Sequence, residues 1–97
     1  MRVVFTPRAG RHIQSLHAYI SAETSEAGAD SYTDRILLFC RSLATFPLRG
    51  SCRDDILPGL RVVGFKRRVS IAFTVHQDVV VIEGVFYGGR NFERDLE

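Results

Sequence analysis

The sequence predicts an α+β fold: an N-terminal strand, an αα-hairpin, then a three-stranded antiparallel meander packed on the helices. Three observations carry this prediction. Residues 60–86 hold three short apolar runs joined by turns of two to four residues. Such turns leave no room for a crossover, so neighbouring strands must be antiparallel. Before them lie two apolar stripes at steps of three and four, the period of a helix. At the start, Arg2-Val3-Val4-Phe5 is a short apolar run stopped by Thr6-Pro7.

Each element has a local cause. Thr6 suits the N-cap of a first helix and Pro7 its first position, where proline's missing N–H would be unpaired anyway. Ala9, Ile13, Leu16 and Ile20 form one stripe, and the helix should end near Ser21. Four to six small or polar residues then separate it from a second helix. Ser25 is the expected cap there, with Glu26 favourable against the macrodipole. Tyr32, Ile36, Phe39, Leu43 and Phe46 make the second stripe, widened by Leu37 and Cys40, and Pro47 and Gly50 stop it. A short connection between amphipathic helices implies an antiparallel αα-hairpin. Residues 47–59 read as a loop containing the acidic pair Asp54-Asp55. Strands follow at 60–65, 68–76 and 79–86. The middle one alternates, with Val69, Ile71, Phe73 and Val75 on the face expected under the helices. The last is apolar on both faces except Glu83, as in a doubly covered strand.

Residues 1–97 form a single domain, 45% hydrophobic and 25% charged, an ordinary globular balance. The net charge of +2 is too small for a general nucleic-acid coat, but its distribution is uneven. Residues 23–34 carry four acids and no base, whereas residues 56–77 carry Arg61, Lys66, Arg67 and Arg68 and no acid. The sheet is therefore the basic part of the molecule, and it favours an acidic partner. Only Lys66 among the 13 basic residues is a lysine, a bias toward planar, bidentate donors. Cys40 and Cys52 lack metal or redox spacing and are expected to be reduced and unrelated. The chain opens into a strand instead of a leader, and no run reaches the ~20 apolar residues of a membrane helix. A cytoplasmic protein that does not span a membrane is expected.

No motif announces catalysis. His12, His17 and His76 are scattered and expected to face solvent, so neither a metal nor a cofactor is implied. Arg61, at the opening of a strand, reads equally as an edge charge against aggregation or as a guanidinium aimed across the open face of the sheet. Lys66-Arg67-Arg68 read as a solvated turn, with Arg68 on the polar face of the next strand the one to watch. Tyr87 and Arg90 flank Gly88-Gly89, whose permitted positive φ would let both side chains fold back over the sheet. That pair suits a protein interface, or acid and charge clamp in phosphodiester cleavage. Asp54, Asp55 and His76 are the available bases, none of them obviously placed.

The order of Leu57-Pro58-Gly59-Leu60-Arg61, Val69-Ser70-Ile71-Ala72-Phe73 and the run from Val81 to Tyr87-Gly88-Gly89-Arg90 resembles the RelE/ParE toxin family, its ParE-like branch above all. The resemblance spans nearly the whole chain and implies the toxin half of a bacterial type II toxin–antitoxin pair. It further implies a hetero-oligomer with a cognate ParD-like antitoxin whose acidic C-terminal segment orders on binding. ParE-like members inhibit DNA gyrase; the alternative, RelE-like, members are ribosome-dependent mRNA endonucleases. Arg61, Arg68, Tyr87 and Arg90 match the basic and tyrosine positions of the cutters, and otherwise stand as partner-binding residues. The cutters' lysine-rich or glutamate base has no counterpart, while Tyr87 stands where ParE-like chains usually carry histidine. It is the missing base, and not Tyr87, that leans the resemblance to gyrase inhibition by contact.

Overall fold

A computed structural model describes residues 1–88, so Gly89 and Arg90 of the expected tail lie outside the described residues. The elements are β1 (Arg2–Phe5), α1 (Pro7–Glu23), α2 (Glu26–Ser42), β2 (Ser51–Cys52), β3 (Arg61–Phe65), β4 (Val69–His76) and β5 (Val79–Tyr87).

Both helix starts follow from their caps. Thr6 Oγ1 accepts from the Ala9 N–H and Ser25 Oγ from the Gly28 N–H, each satisfying a donor that the first turn leaves open. α1 runs on to Glu23, so the connection is only Thr24-Ser25, shorter than the four to six residues expected. Thr24 makes this possible: its hydroxyl and its N–H both reach the Ile20 carbonyl and close the helix. α2 ends at Ser42, a turn earlier than the stripe predicted. From Leu43 onward the N–H groups bond back to Cys40, Arg41 and Ser42, mostly in tight three-residue turns. Phe46 therefore leaves the stripe and lies exposed.

The meander is present as β3-β4-β5, but it is the middle of a five-stranded sheet in the order β1-β5-β4-β3-β2. β1 pairs with β5 in parallel, from Arg2 opposite Val79 to Phe5 opposite Ile82. Parallel pairing is open to it because the whole helical hairpin lies between the two strands. β2 adds two residues to the β3 edge, pairing Ser51 with Val62 and Cys52 with Arg61, within a stretch expected to be loop. β5 is thus an interior strand, flanked by β1 and β4, in keeping with its two apolar faces.

A β-bulge organises the centre. Ala72 faces Gly84 while Phe73 faces Ile82, so Glu83 is an extra residue on β5. The bulge resets the alternation of that strand. Val80 and Ile82 before it, and Val85 after it, all join the core on the helix side with Val69, Ile71 and Phe73 of β4. Phe86 instead packs with Leu60 and Ala72 in a smaller cluster on the opposite face. Residues 53–59 cover that face through Ile56 and Leu57. The acidic pair is part of this cover. Asp55 takes a bidentate bond from Arg53, and Asp54 accepts from the Gly59 N–H, so neither carboxylate is merely solvated.

β1 stops at Phe5, so no strand among the described residues pairs with the outer edge of the later half of β5. α1 takes over there. Glu83 O accepts from Thr6 Oγ1 and Arg8 Nε, and His12 Nδ1 accepts from the Val85 N–H at 3.1 Å. A helix thus covers a sheet edge that would otherwise template aggregation.

Candidate functional site

Of the four residues proposed for partner contact or cleavage, Arg61, Arg68 and Tyr87 are among the described residues, and Arg61 stands apart from the other two. Arg61 lies opposite Phe73, on the helix side of the sheet and not across its open face. Its Nη1 donates to the carbonyls of Leu48 and Arg49, both at 3.3 Å, so the guanidinium clamps the loop that follows α2. Arg68 sits in the β3–β4 turn, just before the paired strand begins. It is five residues back along β4 from Arg61's partner Phe73, roughly 16 Å at the rise of a strand. Lys66 and Arg67 precede it in left-handed backbone conformations (φ 52° and 65°) that side-chain-bearing residues seldom adopt.

Arg68 and Tyr87 do come together. Val69 pairs with Tyr87, and the Gly88 N–H donates to the Arg68 carbonyl at 2.8 Å. Tyr87 projects to the helices, where its ring lies 5.8 Å from that of Tyr19 and 6.2 Å from that of Tyr32. Such offset and edge contacts are favourable for aromatic rings. Burial, with a smaller push from Tyr87, raises the Tyr32 phenol above its ordinary pKa, and the Arg68 charge opposes both. Three tyrosines and one arginine therefore form a corner at the C-terminal end of β5. Arg90 lies outside the described residues.

A cleft of about 220 Å³ opens beside this corner, lined by His12, Ser15, Leu16, Tyr19, Val85 and Tyr87. The histidine expected to face solvent is thus half-buried next to the tyrosine. Its Nδ1 takes the Val85 N–H and its ring packs 4.9 Å from Phe86, so it holds its proton on Nε2. His17 is likewise engaged, 2.6 Å from Asp30 across the hairpin. His76 is exposed at the far end of β4, seven residues from Val69 or roughly 23 Å from the Tyr87 end. No group of three or more metal-ligating side chains gathers among the described residues. Nor is any helix among them long and apolar enough to cross a membrane.

A second surface went unread in the sequence. Leu38, Phe46 and Leu48 are large apolar side chains left in solvent near the end of α2. Arg49 lies over the rings of Phe39 and Phe46, at 5.3 and 5.5 Å, and donates to Ser42 Oγ. The available signal was Leu38, an apolar residue off the stripe of its own helix.

An αα-hairpin laid on a mostly antiparallel sheet, with β1 added in parallel, defines a small α+β fold, and the comparisons give its family. The model of the ParE toxin of the type II toxin–antitoxin system, parDE, matches residues 3–92. The chain belongs to the ParE toxin family. Among solved structures it is similar to a chain of the chromosomal ParDE TA system from P. aeruginosa, with a TM-score of 0.78. That match has 18% identity and covers 91% of this chain and 96% of the other, a likeness of fold. No curated protein matches the sequence.

Proposed function

We propose that this ParE-family toxin inhibits DNA gyrase by direct contact, in the cytoplasm, and is neutralised in a hetero-oligomer with a cognate antitoxin. The observation that carries the contact mode is the state of the groups around Tyr87. The nearest imidazole, His12, has its one basic nitrogen occupied by the Val85 N–H, and a base must be free to take a proton. Arg61 is committed to two loop carbonyls and stands apart from Arg68. Among the described residues, what remains around Tyr87 is a packed aromatic corner beside a cation. Tyrosine and arginine are the residues that dominate protein interfaces when set in such packing.

Partner contact at Arg68, Tyr87 and Arg90 follows from this reading, with Arg61 acting through the loop it holds. Arg68→Ala should weaken antitoxin binding directly, and Arg61→Ala by loosening the 47–50 segment. Inducing the chain without antitoxin should filament cells and raise the DNA-damage response while translated transcripts stay intact. Tyr87→Phe should retain most of the toxicity, because it keeps the ring contacts. Codon-positioned cuts in mRNA, abolished by Tyr87→Phe, would replace this reading with the endonuclease.

A further inference from the structure

Among the described residues, the three most exposed large apolar side chains lie close together in sequence and border the same surface. Leu38 is 64% exposed, Phe46 60% and Leu48 75%. They border two adjoining clefts that share Arg49. In the cleft of about 370 Å³, Leu38, Phe39 and Phe65 form an apolar lining, and Arg35, Arg49 and Lys66 add three cations. Its neighbour is walled by Phe46, Pro47 and Leu48. Among the described residues no carboxylate lines either cleft; the nearest acid in sequence on the helix, Asp34, stands a turn before Leu38. Arg35 and Lys66 have no ion-pair partner among the described residues.

This surface is held in place. Arg61 grips the carbonyls of Leu48 and Arg49, and Arg49 is anchored on Ser42. Gly50, at φ +78°, presses so close to β3 that a Cβ there would lie 2.3 Å from the Val62 carbonyl oxygen. A loop fastened at three points presents its leucine and phenylalanine outward without first having to order, which lowers the cost of binding. Apolar patches with polar rims mark interaction sites. Leucine, proline and phenylalanine together line the clefts, and Arg49 already lies over the Phe39 and Phe46 rings, so what they offer is an apolar lining suited to the side chains of a protein segment.

We infer that this patch is where the acidic segment of the antitoxin docks. Bulky apolar side chains of that segment enter the clefts, and its carboxylates meet Arg35, Arg49 and Lys66. The inference rests on the antitoxin reading above and adds to it a location distinct from the Arg68–Tyr87 corner. In this arrangement the cations set the rate of encounter and the apolar anchors set the rate of escape.

The test uses the full chain and, as probe, the antitoxin encoded beside it, with affinity and rates measured for wild type and variants. The substituted positions are exposed, and thermal melting confirms that each variant is folded. Leu38→Ser combined with Leu48→Ser should weaken binding by about tenfold or more, chiefly through faster dissociation. Arg35→Glu should slow association and flatten its salt dependence. Val4→Ser, an exposed apolar control on β1, should bind within about twofold of wild type, the range of near-neutral interface positions. Wild-type binding with the patch variants unaffected would overturn this assignment alone. No binding by the wild type would overturn the antitoxin reading and this site together. Displacement of the antitoxin by a single-stranded oligonucleotide, lost in the Leu38/Leu48 variant, would give the patch to nucleic acid instead.

Discussion

Two hydrogen bonds to the Leu48 and Arg49 carbonyls decide what Arg61 does. A guanidinium can satisfy adjacent carbonyls at once, which an ammonium does less well, so Arg61→Lys should restore only part of what Arg61→Ala loses. The alanine variant should be about 1–2 kcal/mol less stable in urea denaturation, the scale of charged hydrogen bonds. The two thiols behave differently for a similar reason of environment. Burial pushes the Cys40 thiol up to about 12, partly opposed by Arg41, while Cys52 is exposed on β2. A thiol of ordinary pKa near 8.5 in the unfolded chain ionises before the folded one does. Cys40 therefore contributes stability that is full below about pH 8.5 and is lost as pH rises toward 12. At mildly alkaline pH a thiol reagent should modify Cys52 quickly and Cys40 only as fast as the chain unfolds. Rapid reaction of both would contradict the buried placement.

At the scale of elements, the caps and stripes were readable because their causes are local. Thr6 and Ser25 need only their own next three residues to act, and both were legible. The bulge at Glu83 was not. A strand apolar on both faces has no alternation whose break would reveal an extra residue, and the cause lies in Thr6, Arg8 and Thr74 bonding to Glu83 from other elements. β2 was hidden for a similar reason: two exposed residues carry no pattern, and β3 supplies the pairing. The function of α1 as an edge cover was equally silent, since it depends on where β1 stops. His12→Ala removes that cover's bond to Val85 and should cost about 1–3 kcal/mol, the penalty of an orphaned backbone donor. Gly50→Ala should cost about 2 kcal/mol or more, because its positive φ and the Val62 carbonyl both exclude a side chain. Full stability in either variant, measured by chemical denaturation, would show that the contact carries no weight.

At the scale of the whole molecule, the sheet was expected to be the basic part that meets an acidic partner, and the charges divide among separate places. Arg68 joins the tyrosine corner, Arg61 turns inward to hold a loop, and Arg35, Arg49 and Lys66 surround an apolar patch. Charge counting along the chain locates basic segments but not the direction in which each side chain leaves its strand. That direction is set by register, and register is a property of pairs of strands. The family pattern was readable from the order of short motifs because it repeats the order of elements, and family membership is borne out over residues 3–92. The target is a matter of surface chemistry, and it is open to direct measurement. Purified toxin added to gyrase, ATP and relaxed plasmid should abolish supercoiling, and prior addition of the antitoxin should restore it. Undiminished supercoiling by a folded toxin that still arrests growth would contradict inhibition by contact with gyrase.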